Sequence, residues 1–306
     1  KPPTMPNSYD GMGLGARSFA MGATGAACQA NIENIFYNPA GIAFVKNEKI
    51  QIEALFVIAR ETDLPKEIIN MQDRINLGFK SFSVLQKQGA ISWRTLSSNE
   101  FEISNGSDWY KKQESIKALT ISAGNKNENG TAMGINISYL YGTLSESSLT
   151  GGVPFAQTSS GNGFAVDIGF MYPITRQIVF GTTLENVAGF MWWGNYDFDQ
   201  LPFGIRTGFG YSRESFNLLL DWNKKFYRFS EINDNIVSLG LEQYLNSVLC
   251  IRAGAQGNSL SDKDKLKYTY GFGLNISEFS LSVGAETYKL DQRNVSKYLF
   301  SLKVLI

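Results

Sequence analysis

Lys265-Leu266-Lys267-Tyr268-Thr269-Tyr270-Gly271-Phe272-Gly273-Leu274-Asn275-Ile276 alternates residue by residue. Leu266, Tyr268, Tyr270, Phe272, Leu274 and Ile276 form one set, and Lys267, Thr269, Gly271, Gly273 and Asn275 the other. A period of two places the sets on opposite faces of one strand. One face is large and apolar, the other small or polar, which suits a strand with lipid outside and a polar interior. Phe279 to Thr287 repeats the pattern with Phe279, Leu281, Val283 and Ala285 against Ser280, Ser282, Gly284 and Glu286. The C-terminus does so again with Tyr298, Phe300, Leu302, Val304 and Ile306 against Ser301 and Lys303.

Working outward, similar segments lie near 48–60, 72–84, 89–97, 116–124, 131–142, 163–172, 177–187, 203–212, 216–226, 236–244 and 247–256. The expectation is an all-β chain of about fourteen antiparallel transmembrane strands, each roughly ten residues long, closed into a β-barrel. The connections alternate. Short ones, such as Leu85-Gln86-Lys87-Gln88 and Ser277-Glu278, are exchanged with longer ones at 61–71, 98–115, 143–162, 188–201, 227–235, 257–264 and 289–296. Such alternation fits short turns at one membrane face and loops at the other.

Composition agrees. The chain has 306 residues, 28 Lys+Arg against 28 Asp+Glu, 18% charged residues and 30 Gly. Balanced charge points to no nucleic-acid partner. No apolar run is long enough for a membrane-spanning helix. No signal peptide is visible at Lys1, so an already cleaved leader is expected. With no His, the Ser-His and Cys-His hydrolases and the usual zinc sites are excluded. The chain reads as a non-enzyme with no metal and no cofactor.

Gly15 to Ala43 stands apart: small, Gly/Ala-rich and nearly uncharged. It fits neither strand nor helix over its length and reads as a plug. The strand glycines Gly78, Gly124, Gly134, Gly169, Gly181, Gly204, Gly208, Gly210, Gly240, Gly254, Gly271, Gly273 and Gly284 all fall on the interior parity. Glycine marks close approach by another object, although it also lets strands coil around a barrel. Arg17 has only Glu33 as an acidic neighbour within the segment. A wall carboxylate is therefore expected for it, and Asp167, Glu185, Asp221, Glu242 and Glu286 have interior parity, as do the cations Arg206 and Arg252. Buried charges must pair or stay hydrated, so the interior reads as a polar network.

At Gly15-Ala16-Arg17-Ser18-Phe19-Ala20-Met21-Gly22, followed by Tyr37-Asn38-Pro39-Ala40-Gly41, the chain resembles the FadL-like superfamily, and within it PorV/PorQ-type barrels. The resemblance covers about the first 45 residues closely. It implies a hatch at 1–46, with Arg17, Asn38, Pro39, Ala40 and Gly41 at its heart, and a barrel at 47–306 in the bacterial outer membrane. Pro fixes φ and removes a donor, while Asn bonds nearby backbone, so Asn38-Pro39-Ala40 reads as a rigid turn.

Two functions follow from the resemblance. One is passive uptake of a hydrophobic or amphipathic small molecule through a hatch-plugged lumen, with ligand or detergent in the upper lumen. The other is an adaptor barrel that holds a secretion-system or surface-lipoprotein partner at its outer loops. The barrel itself is expected to be a monomer in outer-membrane lipid. Phe190, Met191, Trp192, Trp193 and Tyr196 are candidate contacts for ligand or partner. If the seventh strand runs on through them, Phe190 and Trp192 belong to the outer girdle while Met191 and Trp193 face the lumen mouth. Cys250 has interior parity near a short turn and Cys28 lies in the plug, so either a bridge between them or two unrelated thiols is open.

Overall fold

The computed structural model describes residues 15–46, 48–61, 74–194, 196, 198–227, 234–258, 260, 266–290 and 293–306. Residues 1–14 of the expected hatch, and much of the connections expected at 61–71, 227–235 and 257–264, lie outside them; of the connection expected at 289–296 only 291–292 do, and the rest is strand instead.

The strands are β1 (Gln51–Glu61), β2 (Arg74–Gln86), β3 (Gly89–Asn105), β4 (Asp108–Lys126), β5 (Ala132–Thr150), β6 (Val153–Pro173) and β7 (Ile178–Trp193). There follow a two-residue β8 (Asp199–Gln200), then β9 (Phe203–Arg213), β10 (Phe216–Phe226), β11 (Asp234–Tyr244), β12 (Leu249–Gly257), β13 (Lys267–Ile276), β14 (Phe279–Leu290) and β15 (Arg293–Leu305). All pairings are antiparallel neighbours in sequence, apart from β7–β9 and the closing pair β1–β15. β8 pairs only with β7, so the ring has fourteen strands, as the sequence pattern predicts. Closure is exact in register at the seam of the termini, where Ile50 and Ile306 exchange two hydrogen bonds of 2.9 Å. A closed ring leaves no edge whose backbone would face lipid unpaired.

The outer face is apolar. On β4 and β5, Ile121 and Ile137 are 60% and 55% exposed, while Thr120 and Ser138 beside them are 1% and 2% exposed. Thr120 and Ser138 share a 2.8 Å hydrogen bond inside the ring. No described helix is long and apolar enough to cross a membrane. The chain is a transmembrane barrel whose strands do the crossing, with the inverted pattern of apolar outside and polar inside.

The expected loops at 98–115 and 143–162 are strand instead. β3 and β4 run on to a two-residue turn at Gly106-Ser107, and β5 and β6 to Gly151-Gly152. Gly106, Gly151 and Gly152 have φ of 64°, 57° and 79°, the left-handed backbone that tight hairpins require. Beyond the membrane no lipid selects an apolar face, so these extensions carry Ser, Asn and Glu and lose the expected alternation.

Two irregularities break the wall. Among the described residues, β2 and β3 pair only from Gln86↔Gly89 to Ser81↔Arg94. Above that point β2 stays with β1 and β3 with β4, so the wall carries a seam on its loop side. β7 carries a bulge, where its register to β6 shifts between Val166 and Ile168 and Asn186 takes a positive φ of 52°.

Residues 15–46 fold inside the ring. Helix α1 (Ala16–Ala20) packs on β12 to β15, and a 3-10 helix over Pro39–Phe44 packs on β4, β5 and β6; α2 (Asn34–Tyr37) precedes the latter. The Glu33 carboxylate accepts from the Arg17 and Ser18 amides at 3.0 and 2.8 Å and from the Ser18 hydroxyl, capping α1 from outside the helix.

Candidate functional site

The expected wall partner of Arg17 is Glu242 on β11. Arg17 Nε and Nη2 donate to its two carboxylate oxygens at 2.9 and 2.7 Å. Arg252 on β12, the register partner of Glu242, donates through Nε at 2.8 Å, and Asn217 Nδ2 on β10 adds a bond of 2.8 Å. Glu242 is fully buried, and a buried carboxylate flanked by two guanidiniums and an amide is satisfied at every lone pair. Burial works against the Arg17 cation, but Glu242 and its hydrogen bonds hold the pKa high.

The two cysteines flank this cluster as free thiols, so the bridge is not formed. Arg17 Nη1 donates to Cys28 Sγ and Arg252 Nη2 to Cys250 Sγ, both at 3.1 Å. The guanidiniums and Glu242 stand between the sulfurs. Burial pushes the Cys28 thiol up, with Arg17 opposing, so it stays protonated near neutral pH.

Other predicted charges divide by role. Asp221 Oδ2 on β10 accepts from the Gly25 and Ala26 amides at 2.8 and 2.9 Å, anchoring the segment without an ion pair to it. Arg206 on β9 bonds Glu185 on β7 at 3.1 Å, reaches Ala23 O at 3.4 Å and lies over the Tyr37 ring at 5.1 Å. Asp167 and Glu286, expected as partners of the segment, bond wall groups instead. Asp167 accepts from the Asn186 amide and from Asn136 at 2.8 and 3.1 Å, which supports the bulge, and Glu286 accepts from Gln256 at 2.7 Å.

Asn38 does more than stiffen a turn. Its Oδ1 accepts from Ala40 N at 3.1 Å, capping the 3-10 helix that Pro39 begins. Its Nδ2 donates to Ala26 O at 2.7 Å and to the strand carbonyls of Phe170 and Thr182 at 3.1 and 3.3 Å. The bare wall fits the segment closely: a Cβ at Gly134 would strike Pro39 and Ala40 backbone, at Gly169 Asn38 Oδ1, and at Gly181 the Ala26 carbonyl. Gly41 is equally constrained, since a Cβ there would meet the Asn34 side chain.

On the loop side of the segment the interior holds an apolar cluster, beside a buried Ser97–Glu114 hydrogen bond of 2.7 Å. Ile116, Leu140, Leu144, Met191, Trp193 and Leu201 pack together, with Leu96 and Tyr196 against them. Met191 and Trp193 are buried at 0% and 3%, while Trp192 is 52% exposed and stacks outside with Phe164 and Phe190. β7 thus continues through Trp193, which sends Phe190 and Trp192 to the outer girdle and Met191 and Trp193 inward. Tyr196 donates to Glu146 Oε2 at 2.9 Å, and burial with that carboxylate pushes its pKa up to about 12. Leu96 belongs to the stretch of β3 that has left β2, so the apolar interior reaches the seam.

On the turn side lies a cavity of about 800 Å³ bounded by the segment and the strand ends, with a mixed polar and apolar lining. Among the described residues no group of His, Cys, Asp and Glu could hold a metal ion.

Several contact residues escaped the sequence reading. Asn136, Thr183 and Thr269 all bond the segment, Asn136 to Ile35 O at 2.8 Å, Thr183 to Tyr37 O at 2.9 Å and Thr269 to Ala20 O at 3.0 Å. Interior parity was their only signal, and many Ser, Thr and Asn share it. Leu201 gave none, because it enters the core from the connection after β8.

No protein-family model and no curated protein matches the chain. Among solved structures it is similar to the Ralstonia pickettii toluene transporter TbuX, with a TM-score of 0.70, 12% identity, and 96% of this chain and 98% of that one covered. The Pseudomonas putida toluene transporter TodX gives 0.68, 12%, 96% and 99%. The monoaromatic hydrocarbon channel CymD gives 0.67, 11%, 96% and 97%. At these identities the likeness is one of fold.

Proposed function

We propose that this chain is a FadL-like barrel of the bacterial outer membrane that takes up hydrophobic or amphipathic small molecules passively. One observation carries the reading: a buried apolar cluster on the loop side extends through Leu96 to the stretch where β3 parts from β2. A polar barrel interior has no structural need for such a cluster. An apolar solute gains by leaving water for it, roughly 25 cal/mol per Å² of apolar surface buried. From there it can pass to the seam without meeting the charged layer that holds residues 15–46. Those residues, within a hatch of 1–46, close the direct route through the barrel of 47–306. The toluene and hydrocarbon channels that share the fold support an aromatic hydrocarbon as the solute class.

The test is uptake of radiolabelled toluene by cells that lack other hydrocarbon barrels and carry this one. Uptake above the empty vector, reduced by Leu96→Arg in a barrel that still shows a folded, heat-modifiable band, is the expected result. Toluene entry equal to the vector, with folded protein in the outer membrane, overturns the reading.

A further inference from the structure

We propose that the turn-side cavity is a binding site for a small organic anion with an apolar face. At about 800 Å³ it lies within the size range of small-molecule sites. Its charged lining is one-sided. Arg17, Lys46, Lys126, Arg176, Arg252 and Lys303 face it against Glu33 and Glu53.

The pairing of these groups sharpens the imbalance. Arg17 and Arg252 share Glu242, which sits behind them and does not line the cavity. Glu33 spends its oxygens on the start of α1. Lys126 lies over the Phe44 ring at 5.3 Å. Lys46 and Arg176 have no ion pair among the described residues, and Lys303 faces Glu53 across β1 and β15 without closing a salt bridge to it. A concave site with unpaired cations at its walls and mouth concentrates anions. Ser280, Ser282 and Asn275 add hydroxyl and amide donors on the wall.

Phe44, Val45, Val179 and Leu219 line the same cavity, which gives an inorganic anion nothing to bury against. An aromatic or branched carboxylate satisfies both sides at once. The site lies on the opposite side of residues 15–46 from the apolar cluster, so it stands whether or not hydrocarbon crosses the barrel.

The experiment is a fluorine NMR titration of the purified barrel in non-ionic detergent with 4-fluorobenzoate, 4-fluorobenzyl alcohol as the neutral analogue, and inorganic phosphate as competitor. Saturable fluorobenzoate binding is expected. It should weaken about tenfold in the Arg176→Gln/Lys303→Gln double variant and fall with added salt. The variant should keep its heat-modifiable band and its toluene uptake, which separates this inference from the uptake reading. No saturable binding, equal binding of the alcohol, an unchanged affinity in the folded double variant, or phosphate binding as tightly as fluorobenzoate would each overturn it.

Discussion

Arg17 and Glu242 meet across 225 positions of sequence through two hydrogen bonds of 2.9 and 2.7 Å inside the barrel, with the carboxylate fully buried and the guanidinium at the edge of the turn-side cavity. The pair is one corner of a layer that also takes in Arg252 and Asn217. Glu242→Gln leaves two guanidiniums side by side with no carboxylate. Removing one partner of a buried pair costs about 3–5 kcal/mol. Denaturant unfolding of the barrel should report that loss, and protease should cut residues 15–46 sooner. An unchanged midpoint and cutting rate would remove the anchoring role from the pair.

The wall opposite makes a steric prediction. Gly134→Ala drives a methyl into Pro39 and Ala40 backbone, which cannot swing aside as a side chain can. Overpacking of this kind costs about 1–3 kcal/mol. Gly89→Ala, whose Cβ would meet only Ser122 O at 3.9 Å, is the matched control. Equal stability of the two variants by denaturant unfolding would show that the fit is looser than the structure has it.

Trp193 fills the loop-side cluster while its indole Nε1 has no hydrogen-bond partner among the described residues. Trp193→Phe therefore gives up area but no polar contact, and should cost little. Trp193→Ala leaves a hole and should cost about 3–5 kcal/mol. A thermal scan of both variants checks the order, and equal losses would contradict it.

Tyr196 supplies a pH signature. Its folded pKa, about 12, lies above that of an unfolded tyrosine, so the neutral phenol is the stabilised form. Its contribution is fully present below the unfolded value of about 10 and is lost as pH rises through the folded one. The ultraviolet tyrosinate difference between the native chain and Tyr196→Phe should titrate in that upper window. A midpoint at about 10 would show that the Glu146 contact is absent in solution.

The thiols make a simpler case. Both are free and each accepts from a different guanidinium, so reducing and non-reducing gels should give one and the same band. Alkylation of Cys28 should speed up only at a pH above the ordinary thiol value. A mobility shift that Cys250→Ser abolishes would restore the bridge.

The sequence was legible wherever lipid imposed its own rule. Strands inside the membrane must be apolar on one face, and Lys267–Ile276 shows it at every position. Outside the membrane the rule lapses, and the long ends of β3 to β6 read as loops although Gly106 and the pair Gly151-Gly152 mark their hairpins. The bare inner wall was readable from glycine parity, because a close-packed object leaves that trace on its container. Which carboxylate Arg17 would choose was not readable, since five shared one parity and only depth and direction separate them. The basic cavity was hidden for the same reason: Lys46, Arg176 and Lys303 come from three distant parts of the chain and share no pattern.

Asn38 Nδ2 reaches two carbonyls, Phe170 O and Thr182 O, that belong to facing residues of β6 and β7. That bond set cannot exist until those strands lie side by side, 132 and 144 residues further along the chain. Glu242 is later still, and the ring shuts only when β15 finds β1. The first described residues to leave the ribosome are thus among the last to find their native partners, and contacts of such long sequence separation are slow to form. Until then the Gly/Ala-rich stretch has only a few bonds of its own, such as Glu33 to the start of α1 and Asn38 Nδ2 to Ala26 O, and its composition keeps a waiting segment free of competing structure while the wall assembles around it.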